Sequence, residues 1–159
     1  MTTSHHPVVL VPAFTISLDS TPMAVRDALA QVLVGLRPLA LTAHDTGTVE
    51  LVLAEALNNV VEHAYPQSGP TGRITLTCTH AVDGLDIRIA DKGTPMPNLA
   101  MPVGQSANIN VALQDMPEGG FGLFIVQSLA KNIQYQRVDG ENSLTMHLEF
   151  AQNHADAHG

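Results

Sequence analysis

Residues 53–65 read LAEALNNVVEHAY, and the placing of Glu55, Asn58, Asn59 and His63 in this otherwise apolar helix decides how the chain is read. Asparagine is a mediocre helix former, so two in succession inside a helix need a reason. Glu55, Asn59 and His63 fall at i, i+4 and i+8, with Glu62 near the same line, and so form a polar stripe. Leu53, Leu57, Val60 and Ala64, flanked by Ala56 and Val61, form the apolar face. Periodicity alone also fits an ordinary amphipathic helix with a solvated side. The amides point further. An Asn side-chain oxygen is a hard, neutral ligand suited to Mg²⁺, which takes few protein oxygens and keeps several waters. A glutamate one turn earlier stands about 6 Å away, where it can orient or deprotonate a nucleophile. Asn58 has no comparable role; a hydrogen bond closing the helix surface is its expected use.

The bulk composition narrows the classes. At 159 residues, 45% hydrophobic and 14% charged, the chain is expected to fold as one domain with a real core, ordered over about residues 10–150 with frayed ends. The net charge of −8 gives no general affinity for nucleic acid or anionic lipid. Any phosphate site must then rely on backbone N–H groups or a metal ion. A single cysteine, Cys78, excludes a disulfide framework and suggests a reducing compartment. MTTSHHPVVLVPAF (1–14) lacks a basic start and is interrupted by Pro12, so it makes a poor signal peptide. No apolar run approaches the roughly 18 residues of a membrane span. A soluble, cytoplasmic protein is the expectation.

Outward from the opening helix, the elements alternate. AFTISLD (13–19) has the period of a half-buried strand, and Ser20-Thr21-Pro22 is a helix start leading through MAVRDALAQVLVGL. The long helix is expected from about His44–Thr48 to Ala64. RITLTCT (73–79) and LDIRIAD (85–91) form one hairpin; IQYQRVD (133–139) and SLTMHLEF (143–150) form another around Gly140, with Leu144, Met146, Leu148 and Phe150 on one face. Between the pairs runs a Pro-, Gly- and Asn-rich loop from Gly93 to about Glu118, with one short helix near Asn108–Gln114, followed by an apolar helix at 121–131. The order predicts an α+β fold: a two-layer α/β sandwich with a mixed, mostly antiparallel sheet covered by helices on one face.

Two further stretches carry chemistry. In IADKGTPM (89–96), Asp91 ends a strand and Gly93 follows. A carboxylate there can accept from an exocyclic amine such as adenine N6, and a glycine lets a flat ring approach the backbone. By itself the stretch is more simply a plain Asp-x-Gly turn after a strand. In PEGGFGLFIVQSLA (117–130), Gly119, Gly120 and Gly122 precede a helix, so free N–H groups and the positive end of the dipole converge. No Lys-Ser/Thr follows, so this is no P-loop, and no strand directly precedes it, as a Rossmann fingerprint requires. The eight histidines are scattered without zinc spacing, and Met96, Met101 and Met116 read as packing for the intervening loop.

Together, in fixed order, these stretches resemble the GHKL ATPase superfamily, the group of gyrase-type, Hsp90-type and histidine-kinase ATP sites. Glu55 and Asn59 match its N box, Asp91-Lys92-Gly93 its first glycine box and Gly120-Phe121-Gly122 its second. The helix pattern E-A-L-N-N-V-V-E-H, the G-G-F-G-L box and the terminal hairpin are closest to the anti-sigma-factor serine/threonine kinases. The resemblance spans roughly residues 10–150 and implies ATP and Mg²⁺ as cofactors. By position, Asn59 would coordinate Mg²⁺ and Glu55 would be the catalytic base. Asp91 and Gly93 would hold adenine, Gly119, Gly120, Gly122 and Leu123 would meet the phosphates, and His63 would support the cofactor site. Loop 94–118 would be the ATP lid. The implied partners are a sigma factor and an anti-anti-sigma protein substrate, and a homodimer is implied as well. No Lys or Arg occurs between Gly93 and Ala130, where active kinases of this kind often carry a basic residue. A nucleotide-gated binding module without catalysis, and an ATPase component of a two-component-like pathway, therefore stay open.

Overall fold

A computed structural model describes residues 11–65, 72–95, 106–108 and 121–151. Strand β1 (Phe14–Asp19) leads into helix α1 (Pro22–Gly35), a 3₁₀ turn (Arg37–Leu39) and the long helix α2 (Ala43–His63). Strands β2 (Arg73–Ala81) and β3 (Gly84–Asp91) follow, then a short strand β4 (Ser106–Asn108), helix α3 (Phe121–Leu129) and strands β5 (Lys131–Val138) and β6 (Glu141–Glu149).

The helix starts are set by side-chain caps. Thr21 Oγ accepts from Ala24 N–H at 3.1 Å and Thr42 Oγ from Asp45 N–H at 3.0 Å, satisfying backbone donors that a first turn leaves unpaired. The Thr42 cap places the start of α2 at Ala43, just ahead of the expected His44–Thr48. The β5–β6 hairpin turns on Asp139 and Gly140, with φ of 52° and 79°. Two successive residues of positive φ match the right-handed twist of the strands they join, and Asp-Gly is the pair that accepts them.

The strands form one sheet in the order β1-β2-β3-β6-β5-β4. The expected two-layer sandwich is present. Every ladder among the described residues is antiparallel, so the sheet is not the mixed one anticipated there. The loop expected from Gly93 onward also contributes β4, which pairs Ser106, Ala107 and Asn108 with Gln136, Tyr135 and Gln134. Three residues at a sheet edge are too few to show a period. The short helix expected near Asn108–Gln114 lies outside the described residues, except that Asn108 itself ends β4.

Alternation along each strand builds the core. Ile74, Leu76 and Cys78, Leu85, Ile87 and Ile89, and Leu144, Met146 and Leu148 all point to the helical layer and are buried. Opposite them lie Val25, Ala28 and Val32 of α1, Val49, Val52, Leu53, Ala56, Leu57 and Val60 of α2, and Val126 of α3. Burial pushes the Cys78 thiol up to about 12, so it packs as an inert small hydrophobe. The other face is polar: Thr15 and Thr77 share a hydroxyl hydrogen bond, and His147 lies 2.7 Å from Asp86 and 3.1 Å from Asp83. Among the described residues no helix is long and apolar enough to cross a membrane.

Candidate functional site

Helix α2 lays its apolar face on the sheet, which leaves its polar stripe at the border between the two layers. Asn59 is only 7% exposed, whereas Asn58, one residue earlier, is exposed. The two amides therefore have different fates. Asn58 makes no side-chain hydrogen bond among the described residues, so its expected surface-closing bond is not found there. The amide nitrogen of Asn59 is buried with no hydrogen-bond partner among the described residues. A buried donor without a partner costs on the order of 1–3 kcal/mol, which any acceptor brought to this one would relieve. Glu55 and His63 are half-buried on the same stripe. His63 Nε2 comes no nearer than 3.8 Å to Glu62.

Asp91 closes β3 in a buried position, 6% exposed. Its Oδ1 accepts from Gly93 N–H at 2.9 Å and from Asn142 Nδ2 at 2.8 Å. Burial raises its affinity for a proton above that of an ordinary aspartate; Asn142, the Gly93 N–H and the Arg137 charge oppose that rise in part. Gly93 is required by close packing. A Cβ there would stand 2.1 Å from the Ala64 carbonyl oxygen, at the end of α2. The expected reason, access for a flat ring, is thus joined by a structural one. Thr94 then fastens the segment to α2, giving its N–H to Ala64 O at 2.7 Å and its hydroxyl to His63 O at 2.8 Å. On the other flank, the Tyr65 hydroxyl donates to Arg73 O at 2.9 Å and accepts from Lys92 N–H at 3.0 Å.

These ties bring the sequence-predicted residues together. Asn59, His63 and Asp91 line one cavity of about 20 Å³ with Val60, Ala64, Thr94, Tyr135 and Asn142. Room of that size admits about one water molecule or one polar edge of a larger ligand. Glu55 lies one turn N-terminal to Asn59, outside that lining. Gly122 and Leu123 fall in the first turn of α3, which packs against α2. Gly119, Gly120, the Pro117-Glu118 neighbourhood and most of the expected lid lie outside the described residues. A wider concavity of about 650 Å³ occupies the polar face of the sheet, lined by Thr77, Asp86, Arg88, Lys131, Thr145 and His147 among others, and includes neither Asn59 nor Asp91. The smaller cavity holds the candidate chemistry, because it joins an unpartnered buried amide to a buried carboxylate.

Sequence reading missed Asn142, Tyr135 and Arg137. The Tyr135 hydroxyl and Arg137 both donate to Asn142 Oδ1, at 2.6 and 2.7 Å, and Arg137 also donates to Gly93 O at 3.0 Å. One signal was available. The inward series Leu148, Met146, Leu144, continued two residues back, lands a polar side chain, Asn142, on the core face.

No group of three or more His, Cys, Asp or Glu among the described residues could hold a metal ion. The donor set nevertheless fits Mg²⁺ accompanying a nucleotide. One neutral amide oxygen from Asn59 would suffice, with phosphate and water oxygens completing the shell, and the unpartnered Asn59 nitrogen would be left to meet a ligand oxygen.

A family model described as the histidine kinase-like ATPase domain matches residues 18–148. The chain belongs to this family. The GHKL resemblance carried by the three boxes is thus borne out, along with its anti-sigma-factor kinase branch. The histidine kinase-like ATPase chain is 33% identical over 98 residues to the serine-protein kinase RsbW of Bacillus cereus, a match covering 60% of this chain and 59% of that protein. It is 35% identical over 102 residues to the serine/threonine-protein kinase BtrW of Bordetella bronchiseptica, covering 62% and 67%. The crystal structure of the RsbU and RsbW domains of Rv1364c from Mycobacterium tuberculosis superposes with a TM-score of 0.59 at 19% identity, over 89% of this chain and 33% of that one. That likeness carries the fold. Membership in the family implies use of ATP.

Proposed function

We propose that the protein binds Mg·ATP in the cleft between α2 and the β3 end and transfers the γ-phosphoryl group to a serine or threonine hydroxyl of a protein partner. The observation that carries this reading is the single cavity shared by Asn59, with its unpartnered buried amide, and Asp91. On this reading Asp91 would accept from the adenine amine, Asn59 would hold Mg²⁺, and the N–H groups at the start of α3, with Gly119, Gly120, Gly122 and Leu123, would meet the phosphates beyond the cavity. Mg²⁺, when bound, supplies charge stabilisation on the phosphates. Glu55 stands one turn from Asn59, where it takes the hydroxyl proton as the oxygen bonds to phosphorus and ADP departs. His63 supports the cavity wall.

The kinase names of the two relatives support a serine or threonine acceptor. The anti-sigma resemblance supports a cytoplasmic regulator that works as a homodimer. Its partners would be a sigma factor, held by binding, and an anti-anti-sigma protein, the phosphorylated substrate.

A second reading is favoured by one observation: the lack of any Lys or Arg from residue 94 to 130. Arg137, whose charge acts on Asp91, serves the base end of the cleft, bonded to Gly93 O and Asn142. On that reading the nucleotide only gates partner binding. Radiolabelled ATP with a candidate anti-anti-sigma protein separates the two. The kinase reading expects Mg²⁺-dependent labelling that Glu55→Ala abolishes while ATP affinity stays within about twofold. Undiminished labelling by Glu55→Ala removes Glu55 as the base, and ATP binding without labelling by the wild type leaves the gating reading.

A further inference from the structure

Asn142 is the hub of the hydrogen bonding around Asp91, and its orientation is fixed by its partners. One end of the amide receives two donors, the Tyr135 hydroxyl at 2.6 Å and Arg137 at 2.7 Å, and must therefore be the oxygen. The nitrogen accordingly faces the other way, donating to Asp91 Oδ1 at 2.8 Å, to Thr94 O at 3.0 Å and to Gly93 O at 3.3 Å. Asn142 is 3% exposed, so water cannot readily replace these bonds.

The consequence falls on Asp91. Its Oδ1 is committed twice, to Asn142 and to the Gly93 N–H. No hydrogen bond among the described residues reaches its Oδ2. Turning the carboxylate would break both bonds to Oδ1, so the second oxygen keeps one direction. The guanidinium on the far side of Asn142 polarises the amide and strengthens the bond it gives. An acceptor held in place in this way receives an N–H₂ group and repels a carbonyl oxygen.

We propose that Asn142 is a positioning residue that acts through Asp91 to set discrimination between an amino and an oxo group at position six of the bound purine, with Tyr135 and Arg137 holding it in that role. The proposal rests on the nucleotide-site reading given above.

The test is calorimetric titration with Mg·ATP and with Mg·inosine triphosphate, which carries an oxo group in place of the amine. The proteins are wild type, Asn142→Ala, Tyr135→Phe and Asp91→Ala, each also melted without nucleotide. Wild type should prefer ATP. Asn142→Ala should lower the ATP-to-inosine-triphosphate affinity ratio about tenfold, almost wholly by weaker ATP binding, and Tyr135→Phe should lower it about threefold. A role in packing alone would weaken both nucleotides together, and an unchanged ratio in both variants overturns the proposal. Should Asn142→Ala not fold, Tyr135→Phe decides by the same ratio. If Asp91→Ala weakens ATP binding while the other two variants keep the wild-type ratio, only this inference falls. If the wild type binds neither nucleotide, or Asp91→Ala binds ATP as the wild type does, the nucleotide-site reading falls and takes the inference with it.

Discussion

Gly93 lies so close to Ala64 that a methyl group added to it would stand 2.1 Å from the Ala64 carbonyl oxygen and 2.9 Å from the Ala64 Cβ. The first glycine box is thereby pressed against the C-terminal end of the helix that carries Glu55 and Asn59. Thr94, next in sequence, bonds to the same carbonyl. The contacting atoms are largely backbone, so a side chain at residue 93 cannot be accommodated by a rotamer change.

Gly93→Ala should therefore cost about 2 kcal/mol of stability, within the usual range for overpacking. Denaturant unfolding would measure the loss, and Mg·ATP titration should show weaker binding as Asp91 shifts relative to α2. A variant with wild-type stability would mean that this junction is slack.

Asn59 predicts the opposite balance between stability and binding. Its buried nitrogen has no partner among the described residues, so the folded protein gains little from the amide itself. Leucine has nearly the same shape without the unpaired donor. Asn59→Leu should be as stable as the wild type or up to about 1 kcal/mol more stable. It should also lose the rise in melting temperature that Mg·ATP gives the wild type. If Asn59→Leu unfolds several degrees lower, the amide is structural. If it keeps the full Mg·ATP shift, Asn59 is not the metal ligand.

How far the site was legible follows from which contacts are local. Glu55 and Asn59 are one helical turn apart, and Asp91 and Gly93 are two residues apart, so their spacing in sequence is already their spacing in space. The strand alternation of residues 74–78, 85–89 and 144–148 likewise fixed the buried face. The ties that make these pieces one site are long-range. Asn142 reaches Asp91 only because β6 pairs with β3, with Asn142 and Asp91 opposite each other in register. Arg137 reaches Gly93 only across the β5–β6 hairpin. A linear reading finds no cation between residues 93 and 130 and cannot see that the next arginine folds back onto Gly93. Asp45 was also hidden: it reads as an acidic first-turn residue of α2, yet it is buried and accepts the Ala151 N–H at 3.1 Å, anchoring the exit of β6.

The proton affinity of Asp91 gives a prediction in which stability and binding respond to pH with opposite signs. Burial raises its folded-state value above the ordinary 3.8, so ionisation of Asp91 works against the fold. Its favourable share of stability is complete below the unfolded-state value and is lost as pH rises through the higher folded-state value. Asp91→Asn removes that dependence. Its carbonyl can still accept from Gly93 and Asn142, and no buried charge remains. The stability of Asp91→Asn relative to the wild type should therefore increase from pH 3.5 or so toward neutrality, as denaturant midpoints at several pH values would record. Nucleotide binding runs the other way. The ionised carboxylate is the better acceptor for the adenine amine, so wild-type affinity for Mg·ATP should fall on acidification into the range where Asp91 takes up its proton. Asp91→Asn turns an N–H₂ toward the base in place of an acceptor and should bind Mg·ATP weakly at every pH. A stability difference that stays flat with pH would show that the Asp91 charge carries no burial cost, and tight ATP binding by Asp91→Asn would remove Asp91 as the acceptor of the base.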